Sequence, residues 1–234
     1  MHPLYLQDFY LKEFNATVME ADGKLVTLDN TAFYPGGGGQ PCDTGTIRKG
    51  NETFSVFSVR KESGQIVHEL DRELSSGDKV HCNIDWQRRY ALMRMHTAAH
   101  VFSAIIHGDT GALVTGNQLG AEESRMDFAL ERFEREKIGE WARKANEAMA
   151  KSMEVRHYFL PREEALKMEG MVKLANALPP NVTELHVVEI GGIDREADGG
   201  THVANTREIG TLEVTRIESK GKNNRRIYFK IPLL

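Results

Sequence analysis

Two histidines four residues apart, His96 and His100, sit in an apolar stretch patterned like a helix. Far downstream lies a Gly199-Gly200-Thr201-His202 run. Four residues advance an α-helix by about one turn, so both imidazoles lean from one helix face. Local structure cannot bring His202 to them. Any fold that uses all three must return the C-terminal glycine loop onto the helix. Three imidazoles with an open position suit zinc that does chemistry. Asp198, four residues before His202, is either a fourth ligand or a partner of one. His107 lies near the same helix face and is an alternative third ligand. Thr97 stands where a protease-type zinc helix carries Glu, so that mechanism lacks its base.

Composition narrows the class. At 234 residues the chain has room for two modest domains or one large one. Its 40% hydrophobic and 27% charged residues read as an ordinary globular protein. A net charge of −4 excludes a global basic field, so nucleic-acid binding must use a local patch. Cys42 and Cys82 make no disulfide framework and are expected to be small, reduced and buried. No apolar run approaches membrane-spanning length, and the first residues lack a signal-peptide pattern. The expected location is the cytoplasm.

The first third reads as β structure. Phe14–Met19 and Leu25–Leu28 flank Asp22-Gly23, a hairpin signal. Thr46–Lys49 and Phe54–Val59 flank Gly50-Asn51; Ile66–Leu70 follows Ser63-Gly64, and Lys79–Ile84 follows Gly77-Asp78. Short strands with turns at this spacing predict a small barrel. At Asp85 the pattern changes. Asp85 can cap a helix from Trp86 to about Ile106, with Gly108 as the stop. Met93, His96, His100 and Ala104 share one face. A second amphipathic helix is predicted from about Arg132 to Met153, with Ile138, Trp141, Ala145, Ala148 and Met149 as its apolar stripe. A shorter helix follows Pro161. Strands return at Leu185–Ile190, Glu208–Ile217 and Arg226–Ile231, the last two joined by a Gly221–Asn224 loop. The expected fold class is α+β: a small N-terminal barrel over residues 1–86, then a two-layer α/β domain with an antiparallel sheet over 87–234.

Several motifs share a family likeness. His96-Thr97-Ala98-Ala99-His100, with Gly199–His202 much later, resembles the editing domain of alanyl-tRNA synthetase and, more distantly, that of threonyl-tRNA synthetase. Phe33-Tyr34-Pro35 and the Gly36–Gly39 run, followed by Gln40-Pro41, resemble the glycine-rich motif of the barrel that precedes that domain. Gly116-Asn117-Gln118 and Arg125–Phe128 resemble segments lining the family's editing pocket. Lys220–Phe229 resembles its closing basic hairpin. The likeness runs through nearly the whole chain in order, and no aminoacylation domain accompanies it. It therefore points to a freestanding alanyl-tRNA editing protein of the AlaX group, in the form with an N-terminal barrel.

That resemblance implies a hydrolase acting on tRNA(Ala) mischarged with serine, and in some members glycine. One zinc ion per chain is implied, held by His96, His100 and His202. Where the family often has Cys, this chain has Asp198, a harder ligand. Zinc can activate water or bind the substrate, and the residues do not choose between the two. No serine-type nucleophile with a neighbouring base stands out. To reject alanine, a pocket needs a polar partner for the serine hydroxyl. Thr97 and Gln118 are the candidates, although Thr97 can instead bond its own helix backbone. Gly199, Gly200, Thr201, Arg125 and Asp127 are expected at the substrate. Lys220, Lys222, Arg225 and Arg226 form a credible phosphate patch. Gly37 and Gly38 offer backbone N–H groups to the tRNA end or serve as a strained barrel turn. Arg88, Arg89 and Arg94 make a second basic cluster. The expected partner is mischarged tRNA(Ala), with no membrane and no obligate protein partner. The competing class is a tRNA-binding module whose metal is structural.

Overall fold

The computed structural model describes residues 2–131, 135–168 and 182–232. Two compact units divide it, Met1–Tyr90 and Ala91–Leu234. The first holds a short helix α1 (Leu4–Gln7) and six strands: β1 (Glu13–Asp22), β2 (Leu25–Leu28), β3 (Gly45–Lys49), β4 (Glu52–Glu62), β5 (Gln65–Leu70) and β6 (Lys79–Ile84). They close into an antiparallel barrel in the order β1-β2-β5-β4-β3-β6. Inward residues alternate along β6 and over most of β1 and β4, as a pleated sheet demands, while β2 and β5 bury adjacent residues. Phe14, Val18, Ile47, Phe54, Val59, Val80 and Cys82 fill the interior. Cys42 and Cys82 are both free thiols. Bulges in β1 and β4 bend the strands and turn Met19 and Phe57 out to solvent.

Two polar groups are built into this core. His68 on β5 is fully buried between Thr31 Oγ1, 2.9 Å from its Nε2, and the Val26 carbonyl, 3.3 Å from its Nδ1. Burial pushes its pKa down to about 4, so the ring is neutral at pH 7. Arg89 and Asp43 are likewise fully buried as an ion pair. Arg89 also donates to the carbonyls of Phe9 and Ala32, and Asp43 also accepts from Tyr34 N–H. With each guanidinium nitrogen bonded, the pair is a fastening rather than a stranded charge. It explains why the unit boundary falls after Tyr90, a few residues beyond the change in sequence pattern.

The second unit contains most of α2 (Trp86–Thr110), then β7 (Val114–Gln118), β8 (Ser124–Phe128) and α3 (Arg135–Met149). Next come β9 (Val155–Pro161), α4 (Arg162–Ala165), β10 (Glu184–Ile190), β11 (Asp194–Ala197), β12 (Glu213–Ser219) and β13 (Arg225–Lys230). Two antiparallel sheets form, β12-β13-β8-β7 and β11-β10-β9. Phe102 of α2 meets Phe128 and Phe229 of the first sheet edge-on, with centroids 6.4 and 6.0 Å apart. α3 joins α2 through Trp141 Nε1, which donates to Asp109 Oδ2 at 2.9 Å. Among the described residues no helix is long and apolar enough to cross a membrane.

Boundaries differ from the sequence reading for identifiable reasons. Asp85 caps α2 through Arg88 N–H at 3.2 Å, as expected. The helix runs through Gly108 and stops at Gly111, whose φ of +70° suits only glycine there. The strand predicted from Glu208 starts at Glu213. Asn205 and Glu208 cap each other around a short 3-10 turn, Thr206–Glu208, and withhold those residues from the sheet. The predicted start of the second helix, Arg132, lies outside the described residues. Arg88, Arg89 and Arg94 form no exposed basic cluster. Arg89 is in the first core, Arg88 donates to the Cys42 carbonyl, and buried Arg94 donates to the carbonyls of Glu208, Ile209 and Pro232.

Candidate metal centre

His96 and His100 project from the buried face of α2, and the loop after β11 brings Asp198 and His202 against them. Arg94, two residues before His96 on α2, is tied to the chain after His202 through Glu208 and Ile209. His96 Nε2 and His100 Nε2 lie 3.4 and 3.6 Å from Asp198 Oδ2, and His202 Nε2 lies 3.3 Å from Asp198 Oδ1. The four ligand atoms all fall within 4.8 Å of one another, so the group could hold a metal ion. Tetrahedral zinc with bonds of about 2.0–2.2 Å needs its ligands about 3.3–3.6 Å apart. The contacts to Asp198 already have that spacing. The donor set therefore fits a small divalent ion such as zinc.

The surrounding bonds decide which ring nitrogen faces the centre. Thr97 Oγ1 donates its only proton to the Met93 carbonyl at 2.9 Å. It therefore accepts from His202 Nδ1–H at 3.2 Å and from Val203 N–H at 3.2 Å. His202 is left with a bare Nε2 aimed at the centre. His100 Nδ1 sits 2.8 Å from Asp194 Oδ2 and 3.6 Å from Glu196 Oε2, which orients that ring in the same sense. Burial, helped by His96, pushes the His202 pKa down to about 3, so the ring is neutral and able to ligate. Burial opposes ionisation of Asp198, but the three imidazoles outweigh it and hold its carboxyl well below the usual range.

The loop is shaped to this purpose. A Cβ on Gly200 would lie 2.2 Å from His96 Cε1 and 2.4 Å from its Nδ1, so only glycine fits. Gly199 has open space where a Cβ would go. Gly200 N–H donates to Asp198 Oδ1, and His186 Nδ1 holds the Asp198 carbonyl. Buried Thr201 completes the turn. Beside His96, His100 and Asp198 is a small pocket walled by Ala99, Ser103, Val114, Asn117, Met126 and Glu196, with free volume of about 20 Å³. That is room for about one water molecule.

Other candidates gather elsewhere in the unit. Asn117 pairs with Met126 across β7 and β8, and both line the pocket. Their strand neighbours Gln118 and Arg125 pair with each other instead, Arg125 Nε donating to Gln118 Oε1 at 3.1 Å. Asp127 takes both Nε and Nη2 of Arg226 at 2.7 and 2.8 Å, so these four side chains form one polar group of their own. His107 bonds the Ala112 carbonyl and is not among the clustered ligands. In the hairpin, Lys220 pairs with Glu218 at 2.9 Å, and Arg225 braces the loop carbonyls of Gly221 and Asn224. Lys222 is exposed at the tip. In the barrel unit Gly36–Gly39 all have positive φ, and Gly37 and Gln40 exchange both backbone bonds at 3.0 and 2.8 Å. Asp194 and Glu196 escaped the sequence reading, His186 carried no expected role in it, and Asn117 entered it only within the segment Gly116-Asn117-Gln118. A signal for the acids was present: Asp194, Glu196 and Asp198 recur every second residue, a strand period with carboxylates on one face.

Comparison with known proteins places this architecture. Residues 6–88 match the family profile described as tRNA synthetases class II (A). Residues 185–228 match the threonyl and alanyl tRNA synthetase second additional domain. An alanyl-tRNA editing protein AlaX-M from Methanosarcina barkeri is 46% identical, over 97% of this chain and 98% of its own. This chain belongs to the AlaX-M family of alanyl-tRNA editing proteins. Another AlaX-M, from Saccharolobus solfataricus, is 44% identical over the same shares of each chain. The alanine–tRNA ligase of Ignicoccus hospitalis is 39% identical over 90% of this chain but only 24% of the ligase. The part of the ligase that resembles this chain is thus about a quarter of the ligase's length.

Proposed function

We propose that this AlaX-M chain is a zinc-dependent trans-editing hydrolase of the cytoplasm that deacylates mischarged tRNA(Ala), chiefly Ser-tRNA(Ala) and also Gly-tRNA(Ala). The observation that carries this reading is a buried three-histidine, one-aspartate cluster in a chain matched end to end by editing proteins. When bound, zinc supplies a Lewis acid that polarises an ester carbonyl and eases deprotonation of water. The protein's own part is positional. Thr97 and Asp194 hold His202 and His100 with Nε2 inward, and Gly200 lets the loop close on His96. The amide of Asn117, in the pocket wall, is the polar partner for a serine hydroxyl; alanine would leave that amide unpaired. Gln118, Arg125 and Asp127 support this wall from the far side of β7 and β8. Lys222, with Lys220, Arg225 and Arg226 behind it, meets tRNA phosphates.

Asp198 favours one alternative, a tRNA-binding module with a structural metal, because it can close a tetrahedral set. One variant separates the two readings. His202→Ala should lose bound zinc and Ser-tRNA(Ala) deacylation together, by more than the roughly 100-fold that loss of a supporting residue costs. Full deacylation by His202→Ala would refute the hydrolase site. Intact tRNA binding without deacylation in the wild type would establish the binding module.

A further inference from the structure

The barrel carries a depression of about 650 Å³ on its outer face, open to solvent, that the hydrolase site does not use. Its floor is the row β3-β6-β1. Arg48 pairs in register with His81, His81 with Asn15, and Lys79 with Thr17. Ile47, Val80 and Ala16 alternate inward from these positions, so their polar neighbours all face out. His81 sits between Asn15 Oδ1, 2.9 Å from its Nδ1, and Glu13 Oε2, 3.5 Å from its Nε2. Asp29 is the acid in the lining, and its Oδ1 already accepts from the backbone N–H of Thr17 and Asn30 at 2.9 Å each. One residue along each strand, Lys49 and Asp78 neutralise each other at 2.7 Å. Arg48 and Lys79 have no such partner among the described residues. The groove thus presents two cations, Arg48 and Lys79, against one lining carboxylate, Asp29, on a protein whose net charge is −4.

We propose that this groove binds phosphodiester groups of the tRNA backbone, with Arg48 and Lys79 as the paired contacts. The assignment rests on the reading of the chain as a tRNA hydrolase. An open trough of donors suits a polymer passing across it better than an enclosed small molecule. Each phosphate contact should contribute about 0.9 to the slope of log affinity against log salt.

The test is binding of deacylated tRNA(Ala) between 50 and 200 mM salt, by fluorescence anisotropy, to the wild type and to Arg48→Gln/Lys79→Gln. A control, Arg60→Gln/Lys61→Gln, removes the same charge from β4. The groove variant should bind about 10-fold more weakly, with the salt slope reduced by about 1.8. KM for Ser-tRNA(Ala) should rise in parallel while kcat, and turnover of a short serine ester, stay unchanged. An unchanged slope in a variant with wild-type thermal unfolding would overturn the groove while leaving the hydrolase reading intact. An equal loss in the control would overturn it too, as general charge. Absence of tRNA binding by the wild type would overturn both.

Discussion

At the scale of single residues, the centre depends on groups that never touch the ion. A methyl on Gly200 would overlap the His96 ring, so Gly200→Ala must displace either the ring or the loop. Asp194 sets the tautomer of His100 from behind. Removing such a support lowers metal affinity by roughly 10–100-fold. We expect Gly200→Ala and Asp194→Ala each to weaken zinc by at least that range in chelator competition, with unchanged far-ultraviolet circular dichroism. Asp194→Asn keeps an oxygen acceptor for His100 Nδ1–H and should recover most of the affinity. Wild-type affinity in Gly200→Ala would mean that His96 is no ligand. The histidines and Asp198 were legible from spacing and family likeness. Asn117 was legible only as part of the pocket-lining segment Gly116-Asn117-Gln118, which offers two adjacent amides. Only the strand register says which one faces the pocket.

At the scale of elements, β5 carries a histidine that ties stability to pH. Folded His68 titrates near 4, whereas an unfolded histidine titrates near 6.5. Above pH 6.5 both states are neutral there, and the stabilisation is fully present. As pH falls from 6.5 to 4 the unfolded chain takes up the proton first, so stability is lost across that window. The loss is on the order of 3 kcal/mol at most. Urea midpoints at pH 7 and pH 4.5 should diverge less in His68→Gln than in the wild type. Equal divergence would show that His68 is not the titrating group. The same strand illustrates why the barrel could be read in advance. Its strands are short apolar-rich runs punctuated by Asp22-Gly23, Gly50-Asn51 and Ser63-Gly64. In the second unit that rule fails where buried residues are not apolar. β11 buries Asp194 and Glu196, β7 is interrupted by a bulge, and β9 has little alternation of burial. Apolar periodicity therefore passed over all three.

At the scale of the whole molecule, two differently built units serve one chain that is weakly acidic overall. The first unit buries its own ion pair, Arg89 with Asp43, and its own neutral histidine. The second unit gathers its ligands from α2 and from the loop beyond β11, segments about 100 residues apart, so a bound metal stabilises only the folded form. Thermal unfolding should rise on zinc addition and fall with chelator, and His202→Ala should lose this response. A response unchanged in that variant would place the metal elsewhere. The most direct measurement is deacylation of Ser-tRNA(Ala), Gly-tRNA(Ala) and Ala-tRNA(Ala), each with and without chelator. Chelator-sensitive loss of serine, with alanine spared, is the predicted result. No hydrolysis of any of the three by protein with zinc confirmed bound would contradict it.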